Sequence, residues 1–171
     1  IGIFDAMNKG IRRCTSDYIH ILNCGDKYSN PDVFNFLDKL GHNTADFLLF
    51  SVKRNRNDGS HWRWVPKRSS LYGGIRVSHA GLIVRTAAYR KFGVYDLAYK
   101  FIADAIFILK HVTRENSTIM EGTLVDVSPP GFSSSNSIIN LMEMISLSWH
   151  YPTNFLFKSW IIVLTLLKYF R

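Results

Sequence analysis

The sequence has little of what defines several protein classes. Its 171 residues include five prolines and only two cysteines, Cys14 and Cys24. Two cysteines make neither a disulfide framework nor a Cys/His metal pattern, and a reducing compartment is expected. Apolar residues make up 47% of the chain and charged residues 20%, which is ordinary globular composition. These values argue against disorder, collagen-like repeats and a polytopic membrane protein.

Acidic residues are also scarce relative to basic ones. Lysine and arginine total 21 against 13 aspartates and glutamates, which gives a formal net charge of +8. Such a balance favours anionic partners, namely nucleotides, nucleic acid or an anionic membrane surface. Nucleic-acid binding would need a basic stripe, but the positive charges are scattered. We therefore expect no nucleic-acid partner.

Helical and strand-like patterns alternate along the chain, which predicts an α/β layered fold. Ile3, Met7 and Ile11 are four apart and predict an amphipathic helix over 3–13. An Asp-Gly pair within 54–60 predicts a hairpin tip. Further helices are predicted at 32–40, Thr86–Phe92, 97–110 and 137–150, and strands at 18–22, 45–52, 82–84 and 118–127, with a loop at 129–136.

The C-terminal segment 155–170, FLFKSWIIVLTLLKYF, is strongly apolar. Its uninterrupted core is far shorter than the ~20 apolar residues of a spanning helix. Lys158 and Lys168 flank that core, with Trp160 and Tyr169 near the ends, as in an interfacial segment. The segment is consistent with a helix packed on the domain, an interfacial membrane contact or a span.

Two motifs near the N-terminus carry the most information. They are GIFDAMNKGI at 2–11 and DYIHILNCGD at 17–26. Together they resemble the family 2 glycosyltransferases, in particular the bacterial group that builds surface polysaccharides and exopolysaccharides. Phe4 stands where the family has Tyr, Ser16 where it has Gly, and Cys24 where it has Ser.

The second motif ends in an acidic turn after a strand. Such a turn lies at the edge of an α/β sheet where ligands bind, and a hard cation such as Mg²⁺ or Mn²⁺ takes oxygen ligands. The resemblance implies that Asp26 binds this metal and that Asn23, where many members have Asp, belongs to the donor site. It assigns Asn8 to the same site, with Asp5 on the same helix face. The alternative is that Gly-Asp supplies only turn geometry.

A second group of motifs follows in the family's order: SHAGLIVR at 78–85, YRKFGVYD at 89–96 and YKFIAD at 99–104. The resemblance implies that Asp104 is the catalytic base. Transfer with inversion needs a carboxylate that takes the proton of the acceptor hydroxyl. Ala80-Gly81 departs from the family's Gln-Ser, and Ala105-Ile106 departs from its Tyr-Asp. The alternative role for Asp104 is a helix N-cap.

Three further side chains are candidates for diphosphate or acceptor contacts. His79 precedes an apolar strand and faces either the metal site or a structural partner. Trp62 and Trp64 alternate with basic residues, a pattern that suits stacking on a sugar and binding of phosphate. A hairpin with half-buried tryptophans explains the same pattern.

The resemblance runs from about residue 2 to 135. It implies a GT-A-like mixed, mostly parallel sheet flanked by helices and lacking the N-terminal donor-binding part, followed by a helical tail at 136–171. The expected function is metal-dependent, inverting transfer from a nucleotide-sugar donor to a glycan or lipid-linked acceptor. The alternative is an inactive fragment or an interaction protein on the same fold. The expected location is the cytoplasm, peripheral at the inner membrane face.

Overall fold

The computed structural model describes residues 2–30, 45–69 and 74–129, together with single positions at 139, 142, 143, 145, 146, 159 and 163. The predicted helix at 32–40 lies outside the described residues, as do most of the predicted loop at 129–136 and most of the segment at 155–170. The seven single positions are all helical. In the part of the chain that is described, no helix has the length and apolar character needed to cross a membrane.

Three helices are described in full: α1 (Ile3–Arg13), α2 (Thr86–Phe92) and α3 (Ala103–His111). The predictions of α1 and α2 are confirmed, but α1 buries Phe4 and Ile11 while Ile3 is 45% exposed. The predicted helix at 97–110 begins only at Ala103. The Asp96 carboxylate accepts a hydrogen bond from the Ala98 backbone N–H, a local turn that competes with helix formation.

The main sheet has six strands in the spatial order β1–β7–β3–β8–β2, with β4 paired to β3. The predicted strands and the hairpin are confirmed in position. A separate two-stranded sheet joins β5 to β6. The strands are β1 (Tyr18–His20), β2 (Lys27–Tyr28), β3 (Phe47–Asn55), β4 (His61–Trp64), β5 (Lys67–Ser69), β6 (Gly74–Arg76), β7 (Leu82–Arg85) and β8 (Ser117–Val127).

The α/β class, with a mixed sheet flanked by helices, is confirmed, but the expected excess of parallel strands is wrong for the described part. Only the β3–β8 pairing is parallel, and the other four pairings in the main sheet are antiparallel. Parallel pairing needs a long connection, and the chain between β3 and β8 supplies it by returning through β7, α2 and α3. The tight turn from Arg56 to Ser60 instead forces β3 and β4 into an antiparallel hairpin.

The core lies on both faces of β3, whose residues are apolar without interruption over its first four positions. Phe47 and Leu49 face one cluster, which includes Phe4, Tyr89 and Phe107 of the three helices. The alternate residues of β3, Leu48, Phe50 and Val52, face a second cluster with Ile83 and Val125. A strand buried on both faces requires this continuous apolar pattern.

Candidate functional site

Sheet topology brings several chain segments to one edge. Strands β1, β3 and β8 run in the same direction, because β7 is antiparallel to both β1 and β3, while β3 and β8 are parallel. Their carboxyl ends therefore meet at one edge, together with the beginning of β7. Ligands bind at this edge in open α/β sheets.

A cleft of about 400 Å³ lies at this edge. It is lined by the turn after β1, the ends of β3 and β8, the segment before β7, and the first turns of α1 and α3. Among the predicted site residues, Asn23, Asp26, Trp62, His79 and Asp104 line it. The structure thus brings together five of the eight side chains that the sequence singled out.

Asp26 is held in place by the end of β8. Its Oδ1 accepts hydrogen bonds from the Ser128 backbone N–H at 2.8 Å and from the Ser128 hydroxyl at 3.1 Å. Gly25, at φ +90°, allows the turn to pack closely here, since a Cβ would lie 3.3 Å from the Ser128 Oγ. The carboxylate is therefore fixed at the cleft wall before any ligand arrives.

Asp104 lies in the first turn of α3, at its second residue, and lines the same cleft. The alternative role as an N-cap is wrong, because Ile102 occupies the cap position and no side chain caps the helix. The Asp104 Oδ1 accepts a hydrogen bond from the adjacent Ala105 backbone N–H, at 2.9 Å.

His79 connects the cleft to a buried pair of tyrosines. Its Nε2 lies 2.9 Å from the Tyr95 hydroxyl, which lies 3.0 Å from the Tyr89 hydroxyl. Burial lowers the pKa of His79, although the Asp104 and Asp26 carboxylates oppose that shift. Burial raises the pKa of Tyr89 to about 12, and it also raises the pKa of Tyr95. At neutral pH the imidazole is therefore neutral and both phenols are protonated.

The donor-site predictions for Asn8 and Asp5 do not agree with the geometry. Asn8 is 1% exposed, and its amide exchanges two hydrogen bonds with the Tyr95 backbone, at 2.8 and 3.0 Å. Asp5 pairs with Lys9 at 2.8 Å. Neither side chain lines the cleft: Asn8 points to the core, as Phe4 and Ile11 do, and Asp5 is half-buried beside it on α1.

The two tryptophans of β4 have different positions. Trp62 is 38% exposed and lines the cleft. Trp64 does not line it; its ring packs on the second cluster and lies under the guanidinium groups of Arg54 and Arg76, at 5.6 and 5.3 Å. The two side chains are on the same face of β4, because they are two residues apart. Trp64 reaches the second cluster because it stands opposite Val52 of β3, which belongs to that cluster.

Sequence reasoning missed several cleft residues. Arg54, at the end of β3, lines the cleft and donates to the Ser78 hydroxyl at 3.1 Å. Ser128, which holds Asp26, follows the end of β8 and was predictable from the rule that strand ends converge. Arg54 carried no local signal, because its role depends on the pairing of β3 with β4.

A contact from the C-terminal part of the chain also reaches the cleft. The Glu143 carboxylate accepts hydrogen bonds from the backbone N–H groups of Lys100 and Phe101, at 2.7 and 2.8 Å. Lys100 and Phe101 line the cleft and directly precede α3. Glu143 therefore helps to fix the segment that presents Asp104.

The donor chemistry of the cleft suits a cation shared with a ligand. Among the described residues, no group of three His, Cys, Asp or Glu side chains could itself hold a metal ion. Asp26 and Asn23 nevertheless offer a carboxylate and an amide oxygen on one wall. Mg²⁺ is commonly bound by one or two carboxylates and completed by substrate phosphates and water. These residues fit that arrangement.

Comparison with known proteins finds relatives that match only part of their own length and part of this chain. No family model matches the sequence. Two curated proteins of Mycobacterium tuberculosis, named "Uncharacterized glycosyltransferase MT1564" and "Uncharacterized glycosyltransferase Rv1514c", are each 30% identical to the chain over 114 residues. The match covers 64% of this chain and 44% of each relative. The chain thus spans less than half the length of these relatives.

Solved structures of Staphylococcus aureus TarS share the fold. The structure of TarS 1–349 in complex with UDP-GlcNAc has a TM-score of 0.62 and 12% identity, and the match covers 96% of this chain and 52% of that chain. The complex with UDP gives a TM-score of 0.57, with 50% of that chain covered. At this identity the likeness concerns the fold alone, and it agrees with the expected α/β architecture.

Proposed function

We propose that the polypeptide containing this chain is a glycosyltransferase and that the cleft is its catalytic centre. The observation that carries the proposal is that Asp26 and Asp104, from distant parts of the sequence, line one cleft with His79. The names of the two curated relatives support the same reaction class. The proposed donor is a nucleotide sugar, and UDP-GlcNAc is the first to test because TarS was solved with it.

In the proposed reaction Asp104 is the general base. It accepts the proton of an acceptor hydroxyl as that oxygen attacks the anomeric carbon, and the nucleoside diphosphate departs from the opposite side with inversion. Asp26 and Asn23 would hold a divalent cation, Mg²⁺ or Mn²⁺. When bound, that cation neutralises the charge that develops on the leaving diphosphate. Ser128 keeps the Asp26 carboxylate oriented for this contact.

The proposed acceptor is a glycan or a lipid-linked sugar in polysaccharide biosynthesis, at the inner face of a membrane. Trp62 supports a carbohydrate acceptor, because it offers an exposed aromatic face at the cleft. The apolar segment at 155–170, whose uninterrupted core lies between two lysines, supports a membrane-proximal setting.

Substitution of the base tests the proposed reaction. Asp104→Asn keeps the shape of the side chain but cannot accept a proton. In the longest natural polypeptide that contains the chain, release of nucleoside diphosphate in the presence of acceptor is expected to fall by about 10²–10⁴-fold. Asp96→Asn is the matched control, since Asp96 is exposed and does not line the cleft. Equal rates for the two variants would refute the assignment of Asp104.

A further inference from the structure

Arg54 is an unusual residue in this cleft, because part of its guanidinium group is buried without a partner among the described residues. Among the described residues, no carboxylate lies within ion-pair distance of it. Its Nε is buried and has no hydrogen-bond partner. A buried N–H donor without a partner costs free energy.

The guanidinium is nevertheless held in one place. One terminal nitrogen donates to the buried Ser78 hydroxyl at 3.1 Å, and the group lies over the Trp64 ring at 5.6 Å. Stacking on the ring face leaves the in-plane N–H donors available at the edge of the guanidinium. Arg54 lines the cleft, so this edge is within reach of a ligand there.

The Trp64 ring beside Arg54 does not line the cleft, but it carries a second unpaired donor in the same contact. Its Nε1 is also buried without a partner, and Arg54 Nε and Trp64 Nε1 are the two such side-chain atoms in the described part of the chain. Both belong to one contacting pair. Two unsatisfied donors in one contact are uncommon in a native structure and call for an acceptor.

We propose that Arg54, positioned by Ser78 and Trp64, is a receptor for a phosphate group of the substrate. The planar fork of arginine matches two phosphate oxygens and binds them with charge-assisted hydrogen bonds. The phosphate has two possible sources, the diphosphate of the donor and a phosphate carried by the acceptor. Both present the same chemistry to the guanidinium. The inference rests on the proposed function only for the identity of these substrates.

The hairpin provides a matched control for the test. Arg56 also stacks on a tryptophan, Trp62, at 4.7 Å, but it is exposed and does not line the cleft. Arg54→Gln and Arg56→Gln therefore remove the same charge and the same type of stacking contact from neighbouring positions. Only the first is expected to affect phosphate binding.

The first measurement is titration of the full chain with inorganic phosphate and with UDP, followed by NMR, in the presence of a chelator that removes metal bridging. Arg54→Gln is expected to weaken binding of at least one probe by about tenfold or more, and Arg56→Gln by less than about twofold. Arg54→Lys should recover part of the loss, because it keeps the charge without the fork. Equal affinities in wild type and Arg54→Gln would overturn the proposal.

Two further arms separate the possible results. If saturating UDP displaces inorganic phosphate, Arg54 binds the donor diphosphate; if both bind together, it binds an acceptor phosphate. A purely structural Arg54 would instead give Arg54→Gln a lower melting temperature with unchanged phosphate affinity, which refutes the proposal. Asp104→Asn should bind both probes normally, so a failed transferase assay leaves this result standing.

Discussion

Asn8 shows how a residue predicted at a ligand site can have a structural role instead. Its amide bridges α1 to the backbone of Tyr95, whose hydroxyl contacts His79 at the cleft. The amide thus acts on the cleft only through the position of the segment that follows α2. A buried side chain that satisfies both a backbone N–H and a backbone carbonyl is costly to remove.

Asn8→Ala is expected to lower the free energy of unfolding by about 2–4 kcal/mol, because it leaves the N–H and carbonyl of Tyr95 unsatisfied. Urea denaturation of the purified chain measures this. Lys9→Ala is the control: it breaks only the exposed pair with Asp5, and alanine favours the helix. A variant at Asn8 that unfolds like wild type but loses nucleotide affinity would restore the donor-site role.

The short 3₁₀ turn at His79–Gly81 packs closely against the backbone of β3. A Cβ on Gly81 would lie 2.4 Å from the backbone oxygen of Phe50 and 3.0 Å from the Val52 Cγ1. Glycine thus lets the segment that carries His79 approach β3.

Gly81→Ala is expected to destabilise the fold by about 1–3 kcal/mol, because the part of β3 that it approaches is buried and cannot move away. Gly10→Ala is expected to raise the stability instead. Position 10 is exposed within α1, and a Cβ added there would meet no atom within 4 Å, so alanine should stabilise the helix by about 0.5–1 kcal/mol. Thermal melting of the two variants beside wild type tests both. If Gly81→Ala melted at or above wild type, the close approach would be wrong.

Local patterns predicted most elements because their signals are local. The apolar run of β3 and the Asp-Gly pair at its hairpin depend on neighbouring residues, and both are recognisable in the sequence. The start of α3 was missed because a single Asp96 side chain redirects the backbone. Strand direction was missed because pairing between distant segments decides it.

The residues of the candidate site also differ in whether a local signal predicted them. Asp26 and Asp104 were found because they end recognisable motifs. Arg54 and Glu143 were not, because each acquires its role only through tertiary contacts, with Trp64 and Ser78 for Arg54 and with the segment before α3 for Glu143. No spacing rule connects positions 100 and 143.

At the scale of the whole molecule, burial of titratable groups sets a pH range of maximal stability. Burial lowers the pKa of His20, His79 and His111 and raises that of Tyr89 and Tyr95. At a pH between the lowered pKa of a buried histidine and its unfolded value, the histidine is protonated in the unfolded state alone. At a pH between the unfolded pKa of a buried tyrosine and its raised value, the tyrosine is protonated in the folded state alone.

Stability is therefore expected to fall as the pH drops below about 6.5 and to fall again as it rises above about 10 toward 12. Melting temperatures measured from pH 5 to 11 test this range. His79→Gln should reduce the fall in melting temperature at acidic pH, and Tyr89→Phe should reduce the fall at alkaline pH. An equally steep fall in melting temperature at acidic pH in wild type and His79→Gln would contradict the lowered pKa of His79.

The central claim is that Asp26 and Asp104 line one ligand-binding cleft. The most direct measurement is paramagnetic broadening of backbone NMR signals of the chain by Mn²⁺ together with UDP, with Mg²⁺ and UDP as the diamagnetic reference. Strong broadening is expected at Asp26, Ser128, His79 and Asp104, which line the same cleft, and little at Ser117, which begins β8 at the opposite edge of the sheet. Broadening at Asp26 without Asp104, or broadening centred away from this cleft, would contradict it.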